Sequence, residues 1–348
     1  MGARIETKKG FVDHYIDCSI NPASFLAKIE ALVDWKPFEN YLKKNIKRGP
    51  AAAGQPPYPD LVMFKILLLQ FWYGLSDDDA SQAVKDRISF IHFLGLSFDS
   101  SKPDGSTICR FRNRLLEKGH YQPLLELFNK RLEKNGLLVK RGTVVDATLV
   151  ESSRRPRKVM DMEGWSADGE EKGLSVESEE PLAVKVSYSK DVEADWTVKC
   201  GRPVYGYKVH LAVDEEQGFI LGGHVTGAQV ADTIEMPRVI EESGLPVGAL
   251  VIADKGYAGE PNRRYLSEKG YRDGIMRRAY RNKPLSDKDK KRNAGLSKSR
   301  WIVERCFGIL KKGQGFVRAR YLGKLKVELE LHLQALAHNM RKAINLSA

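Results

Sequence analysis

Apolar side chains recur at helical spacing through the first 140 residues, which predicts an all-helical N-terminal region. One such stripe covers the segment 22–46, and a linker of Pro, Gly and Ala at 49–59 separates it from the rest. The helices predicted after the linker cover residues 60–73, 77–93, 107–118 and 122–134. Ser76, which three aspartates follow, and Ser106 are the side chains expected to cap two of these helices.

The pattern changes from helices to strands after residue 141. Residues 143–150, 205–214 and 219–226 are rich in β-branched and aromatic side chains, and the last two runs flank a turn, as in a hairpin. Residues 249–253 form a short unbroken apolar run that is typical of a buried central strand. Further elements are predicted as helices over 232–243, 260–269, 297–312 and 326–343, and as a strand over 272–276. This order predicts an α/β layer fold, which is interrupted at about 151–200 by an acidic insertion that we expect to be loop or partly disordered.

The composition is that of a globular protein without a membrane segment. Of 348 residues, 42% are hydrophobic and 29% are charged, which excludes wholesale disorder. The four cysteines lie far apart and lack zinc-site spacing, so they predict free thiols in a reducing compartment. No apolar run is long enough to span a bilayer, and the first residues lack the apolar stretch of a signal peptide. We therefore expect a cytoplasmic protein without a membrane partner.

The positive charge of the chain is concentrated in blocks. Lys and Arg number 57 against 45 Asp and Glu, and the net charge of +12 favours a polyanionic partner such as nucleic acid. Residues 277–300 contain ten bases and two acids, and residues 311–326 contain six bases and no acid. These two blocks flank one predicted helix. In contrast, residues 161–195 contain eleven acids and three bases.

Three acidic residues stand at positions where acids are unusual. Asp146 lies inside a predicted strand, where a carboxylate is costly unless it is paired or binds a cation. Asp254 ends the apolar strand, and open α/β sheets build their sites at the carboxyl ends of such strands. Glu304 shares one polar stripe of its helix with Arg300 and Lys311. Taken singly, each acid is better explained by pairing, capping or solvation, but their order inside an α/β frame with basic flanks indicates a site.

Several segments resemble the DDE transposases of bacterial insertion sequences, specifically the insertion-sequence-five group. In the N-terminal region these segments are residues 73–79, 86–90 with 93–96, and 103–115. In the C-terminal region they are residues 145–148, 206–214 and 253–257. Residues 300–305, followed by Lys311, resemble the Tyr-Arg-Glu-Lys signature, with Ser297 at the position of the tyrosine. The resemblance extends from about residue 20 to residue 340, and the departure at Ser297 affects a supporting DNA contact only.

The resemblance implies a fold, a metal site and an activity. The implied fold is an RNase H-like catalytic domain at 141–348, with a mixed five-stranded sheet and flanking helices. A helical DNA-binding or dimerisation domain at 1–140 precedes it. Asp146, Asp254 and Glu304 are implied as catalytic residues that bind two Mg²⁺ ions, for which Mn²⁺ would substitute. Carboxylate oxygens suit Mg²⁺, and the lack of clustered His or Cys argues against zinc. The implied activity is that of a DNA transposase, which binds terminal inverted repeats, cleaves the ends as an endonuclease and joins the 3′-hydroxyls to target DNA.

Double-stranded DNA is the expected partner, both as transposon ends and as target, bound by a homodimer or higher assembly at the bacterial nucleoid. The candidate DNA-contacting side chains are Arg110, Arg112, Arg114, Lys208, Arg300 and Lys311. Arg300 and Lys311 are expected to hold phosphates beside the metals. The helix 107–118 is either the recognition helix of a helix-turn-helix or a packing helix. Lys208 and His210 share one face of their strand, and this face either approaches DNA, approaches the active site or is solvated.

Two other functions stay open from the sequence. One is a DNA-binding protein that derives from a transposase and has lost catalysis, although the presence of all three acids argues against it. The other is a metal-dependent nuclease of the same fold that cuts DNA without joining it. A cleavage assay with Mg²⁺ tests the first alternative, and the detection of joined products tests the second.

Overall fold

The computed structural model describes residues 10–46, 57–162, 184–199, 201–281 and 284–347. Within these ranges, eight α-helices precede the first strand. They are α1 (Phe11–Ser19), α2 (Phe25–Leu32), α3 (Lys36–Asn45), α4 (Asp60–Tyr73), α5 (Asp77–Asp86), α6 (Ile88–Leu94), α7 (Gly105–Leu116) and α8 (Gln122–Lys134). α4 is buried on nearly every side because almost all of its residues are apolar, and it ends at Gly74, whose φ of 69° is left-handed.

The helix predictions are confirmed in part. α4 and α8 have the predicted bounds, and Ser76 caps α5 through a hydrogen bond from the backbone N–H of Asp79. The helical stripe over 22–46 is confirmed and comprises two helices, α2 and α3, because the chain becomes extended at Val33. The single helix predicted over 77–93 is wrong, because the chain is extended at Arg87 and the segment forms α5 and α6. Ser106 is not a cap: Asp104 caps α7 by accepting a hydrogen bond from the Thr107 N–H at 2.7 Å.

The remaining described residues form two sheets and four further α-helices. The strands are β1 (Gly142–Glu151), β2 (Arg157–Met162), β3 (Val184–Ser189), β4 (Asp195–Lys199), β5 (Arg202–Asp214), β6 (Ile220–Gly227), β7 (Leu250–Ala253) and β8 (Arg272–Ile275). The helices are α9 (Asp232–Ser243), α10 (Glu260–Glu268), α11 (Asp287–Gly308) and α12 (Lys324–Ser347). α11 begins ten residues before the predicted start, because Ser286 caps it and Asp287 and Asp289 occupy its first turn.

The main sheet is mixed, as predicted. β5 is antiparallel to β1, whereas β7 is parallel to β1 and β8 is parallel to β7. β6 and β4 both pair antiparallel with β5, end to end along the edge that faces away from β1. The predicted five strands are therefore present as β6-β5-β1-β7-β8, which fits an RNase H-like fold, and β4 is a sixth strand.

The acidic insertion is not loop throughout. β2 and β3 pair with each other in a separate two-stranded sheet, and β4 joins the main sheet, so the loop prediction is wrong at the borders of the insertion. Residues 163–183 lie outside the described residues.

α12 lies between the N-terminal helices and the main sheet. It packs against α2, α4, α7 and α8 on one side and against β6 on the other. The Trp72 indole N–H donates to the Ala337 carbonyl at 3.0 Å, and the Asn339 carboxamide oxygen accepts from the Ile220 N–H at 2.8 Å. One hydrophobic core therefore runs through both parts of the chain. No helix among the described residues is long and apolar enough to cross a membrane.

Candidate active site

The parallel pairing of β1 with β7 brings two of the predicted acids together. Val145 is opposite Ala253 in this register, so the next residues, Asp146 and Asp254, come side by side on neighbouring strands. Neighbouring strands lie about 4.8 Å apart. Asp254 follows the last residue of β7, at the carboxyl end where α/β sheets place their sites. Its carboxylate accepts a hydrogen bond from the Gly256 N–H at 2.7 Å, which fixes the turn after the strand.

The surroundings of Asp146 have opposing effects on its carboxyl group, and on balance they disfavour the ionised form. Burial raises the pKa of its carboxyl, and the nearby charge of Asp254 adds to that rise. The Ala147 N–H, at 2.8 Å from Oδ1, and Arg300 Nη2, at 3.1 Å from Oδ2, lower the pKa again without cancelling the effect of burial. A cation close to this carboxylate is therefore electrostatically favoured.

α11 places Arg300 and Glu304 above the pair of aspartates. Arg300 Nη2 lies 3.1 Å from Asp146 Oδ2 and 3.9 Å from Glu304 Oε1, so the guanidinium separates these two carboxylates. The Glu304 side chain is 63% exposed. Across the part of the chain that the structure describes, no three acidic, imidazole or thiol groups are close enough to hold a metal ion as they stand. The structure thus brings Asp146 and Asp254 together, and Glu304 lies at the rim.

Lys311 follows α11 in a π-helical turn, Ile309–Gly313, and also reaches β1. Its Nζ donates to the Leu149 carbonyl at 2.8 Å, and burial, with the charge of Lys199 nearby, lowers the pKa of its ammonium. Arg300 and Lys311 therefore both contact β1, at positions three residues apart. The polar stripe of α11 that the sequence predicts therefore lies along β1.

Tyr257 is a residue of the site that the sequence analysis does not single out. It lies three residues after Asp254, and its hydroxyl is buried without a hydrogen-bond partner among the described residues. Burial raises its pKa well above the ordinary value, and the charges of Asp232, Asp146 and Asp254 add to that rise. Arg300 Nε is also buried and unpartnered among the described residues. Tyr257 could have been found from the sequence, because it belongs to the segment 253–257 that resembles the transposase family.

Lys208 and His210 do not form a solvated strand face. Lys208 is half-buried, and its Nζ donates to the Val230 carbonyl at 2.6 Å and pairs with Asp232 at 2.9 Å. His210 is fully buried, and its ring stacks on His224 of β6 with the ring centres 5.1 Å apart. Burial lowers the pKa of His210 to about 3, so this side chain is neutral at pH 7. The interpretation of His210 as exposed or facing DNA is therefore wrong, because α9 packs over this region of β5 and β6.

The three arginines of α7 have different environments. Arg112 is buried, and its guanidinium donates two hydrogen bonds to Asp77, at 2.6 and 2.8 Å. It also lies 4.4 Å from the centre of the Tyr321 ring. Arg112 as a DNA contact is therefore wrong, since its polar atoms are occupied within the fold. Arg110 is exposed, and Arg114 is half-buried with its guanidinium 5.5 Å from the Phe111 ring.

Comparison with known proteins gives matches over both parts of the chain. A family model described as a transposase DDE domain matches residues 138–340, which include all three predicted acids. A second family model, described as a transposase domain, matches residues 14–114. The chain is also 37% identical, over 238 residues, to the transposase for insertion sequence element IS1106 of Neisseria meningitidis serogroup B. That alignment covers 68% of this chain and 77% of the relative.

Solved transposase structures are more distant. The piggyBac transposase synaptic complex with hairpin DNA aligns with a TM-score of 0.42 and 11% identity, over 92% of this chain and 72% of that chain. The Mos1 strand transfer complex aligns with a TM-score of 0.21 and 12% identity, over 89% of this chain and 84% of that chain.

Proposed function

Since this chain belongs to the transposase DDE-domain family and is a DNA transposase of the bacterial insertion-sequence type, we propose that it cuts and joins DNA at one acidic site. The site consists of Asp146, Asp254 and Glu304. Its substrates are the terminal inverted repeats of an insertion sequence and a target duplex. Water is the first nucleophile and frees a DNA 3′-hydroxyl, which then attacks the target strand.

The observation that supports this proposal is the register of β1 and β7. It sets Asp146 next to Asp254 at the carboxyl end of a parallel strand, directly below the helix that carries Glu304. Asp146 is largely buried in its strand and is repelled by the charge of Asp254 at the end of the next strand, and this arrangement is costly unless cations offset it. One guanidinium, that of Arg300, contributes to that compensation.

The residues present fit divalent cations by their chemistry. Asp146 and Asp254 offer carboxylate oxygens, which are the ligands that Mg²⁺ and Mn²⁺ prefer. The buried, unpartnered hydroxyl of Tyr257 is close enough to Asp146 and Asp254 for their charges to raise its pKa, so the surroundings of the pair are polar. Glu304 is exposed, so its carboxylate can turn towards the pair by a change of rotamer without a backbone movement. Two bound cations supply activation of the attacking oxygen and stabilisation of the leaving oxygen.

Arg300 and Lys311 have the role of phosphate-holding groups in this proposal. Arg300 already orients the Asp146 carboxylate, and its second contact, with Glu304, is long enough at 3.9 Å to be given up to a phosphate. Lys311 is held over β1 by the Leu149 carbonyl and retains two further N–H donors. Both groups position the scissile strand along β1. The basic blocks at 277–300 and 311–326 extend this phosphate contact beyond the site.

The active form in this proposal is at least a homodimer on paired transposon ends. Excision requires that both ends are cut, and each chain provides one set of Asp146, Asp254 and Glu304. The net charge of +12 opposes self-association of the free protein, and DNA phosphates neutralise that charge.

The test is a set of charge-removing substitutions that keep side-chain volume. Asp146→Asn, Asp254→Asn and Glu304→Gln should each abolish Mg²⁺-dependent cleavage of a labelled end duplex and leave its binding affinity unchanged. Glu268→Gln, on the exposed side of α10, is the matched control and should retain full cleavage. Titration with Mn²⁺, followed by electron paramagnetic resonance, should show bound metal in the wild type and reduced binding in the three variants.

Each outcome of this test has a clear consequence. Full cleavage by any one of the three variants removes that residue from the site. Binding of end DNA without cleavage by the wild type, at any divalent metal, identifies a catalytically silent DNA-binding protein. Cleavage without joined products, in the presence of target DNA, identifies a nuclease instead of a transposase.

A further inference from the structure

A second polar cavity, of about 290 Å³, lies against the face of α11 that points away from Arg300 and Glu304. The α11 side of this cavity consists of Trp301, Arg305 and the apolar residues that follow them at helical spacing. Its other walls are the turn between β5 and β6 and the C-terminal part of α12. The cavity is therefore separate from the site of Asp146 and Asp254, although both use the same helix.

Two cations face this cavity without a counter-ion. Arg305 is exposed and Lys342 is half-buried, and neither takes part in an ion pair among the residues that the structure describes. The acid at the rim, Glu216, pairs with Arg141 at 3.2 Å. The carboxylate of Asp214 accepts hydrogen bonds from the backbone N–H groups of its own turn.

The other titratable groups of the cavity do not neutralise this charge. Burial raises the pKa of the Cys306 thiol to about 11, so the thiol stays protonated at pH 7. Burial lowers the pKa of His338 to about 4, so the imidazole is neutral at pH 7. Both side chains lie 3.3 Å from the Gly218 carbonyl. Burial and the neighbouring guanidinium of Arg305 lower the pKa of Lys342, although Cys306 and Asp214 oppose that effect.

Gly218, in the turn between β5 and β6, borders the Lys342 ammonium group. Its φ of 75° is left-handed, and a Cβ atom at this position would lie 3.0 Å from the Ile302 side chain and 3.5 Å from Lys342 Nζ. The left-handed backbone and the close approach to Ile302 therefore favour glycine at this turn, and the distance to Lys342 is that of an ordinary contact.

Trp301 adds an aromatic surface at the rim of the cavity. The residue is 54% exposed, and the guanidinium carbon of Arg305 lies 5.9 Å from the centre of its ring. Exposed aromatic rings beside cationic groups are the elements with which proteins hold single nucleotides and single-stranded nucleic acid. The cavity volume of about 290 Å³ is close to the lower limit for pockets that bind small ligands.

We propose that this cavity binds one nucleotide unit, with its phosphate between Arg305 and Lys342 and its base stacked on Trp301. The phosphate supplies the negative charge that the two cations lack, and both cations donate charge-assisted hydrogen bonds to it. The source of the unit is either a free nucleotide or one nucleotide of a DNA strand. This site adds a second nucleic-acid contact, remote from the acidic site.

The experiment is calorimetric titration of metal-free protein with four probes: adenosine monophosphate, adenosine, inorganic phosphate and a single-stranded tetranucleotide. Arg305→Gln and Lys342→Gln should each weaken the binding of adenosine monophosphate and of phosphate roughly tenfold or more. Trp301→Leu should weaken the binding of adenosine monophosphate by a factor of about 5 to 140 and leave that of phosphate unchanged. Lys134→Gln, an exposed lysine of α8 with the same charge change, should bind all probes like the wild type.

The probes also separate the two sources of the ligand. Equal affinity for the mononucleotide and the tetranucleotide supports a free nucleotide, whereas tighter binding of the tetranucleotide supports a DNA strand. The absence of saturable binding of both by the wild type overturns the proposal. The proposal is also overturned if Lys134→Gln loses as much affinity as Lys342→Gln, because the effect is then one of net charge.

Arg305 is exposed, so its variant should fold, and its thermal midpoint checks this. These titrations need no cleavage, so their failure leaves the acidic site untouched.

Discussion

Replacing Arg112 by alanine should destabilise the fold and leave DNA affinity unchanged. The guanidinium is bound to both carboxylate oxygens of Asp77 and lies against the Tyr321 ring, and only 6% of the residue is exposed. Alanine leaves Asp77 with one side-chain donor, the Gln70 carboxamide at 2.8 Å. Removal of one partner of a buried ion pair costs about 3–5 kcal/mol. Since 26% of the Asp77 side chain is exposed, water reaches it and we expect the lower end, about 3 kcal/mol.

The measurement is equilibrium unfolding in urea, followed by circular dichroism, with affinity for end DNA measured at a temperature where each variant is folded. Arg110→Ala, an exposed position on the same helix, should change the free energy of unfolding by less than about 0.5 kcal/mol. The double variant Asp77→Ala/Arg112→Ala should lose about 1–3 kcal/mol less than the sum of the single variants, because the two residues interact directly. If Arg112→Ala unfolds like the wild type and loses DNA affinity, Arg112 contacts DNA and our assignment is refuted.

Three further predictions concern pH, salt and assembly. Burial raises the pKa of Glu330 to about 7 from an ordinary value of 4.5. As pH rises, the carboxyl group therefore loses its proton at a lower pH in the unfolded chain than in the folded protein. The free energy of unfolding should therefore fall as pH rises from 4.5 to 7, and Glu330→Gln, unfolded in urea across this range, should lack that part of the fall. Lys288→Gln/Lys291→Gln, in the basic block at 277–300, should reduce the slope of log affinity for DNA against log salt concentration by about 2, and an unchanged slope would exclude both lysines from phosphate contact. Mass measurement of protein on paired end duplexes should give at least two chains, and complete excision by one chain would contradict this.

The acidic pair could be predicted from the sequence because two unusual local positions coincide with the motifs of a known family. Asp146 and Asp254 each end or interrupt an apolar run, and parallel strands place such positions at one edge of the sheet. Glu304 could be placed on one helix face with Arg300 but not relative to the two aspartates, because helical spacing does not determine the rotamer of an exposed side chain. Its role in catalysis stays a prediction.

Other features depend on contacts that are distant in sequence. The pattern on α7 shows three arginines, but Arg112 is buried only because Asp77, 35 residues earlier, is brought against it. The period of two along β5 places Lys208 and His210 on one face, and only the position of α9 decides that this face is covered. The break at Arg87 likewise follows from packing, since helical apolar spacing continues across it, whereas Pro37 in the first turn of α3 is a local signal for the break near Val33.

The position of α12 has a consequence for the order in which the protein can be made. Trp72 of the apolar helix α4 bonds to Ala337, which the ribosome adds 265 residues later. At typical synthesis rates of about 5–20 residues per second, this interval lasts roughly 13–53 s. During that time the side of α4 that α12 covers has no partner from its own chain. The nascent helical region therefore exposes apolar surface until α12 emerges, and a chaperone that binds such surface would act in this window.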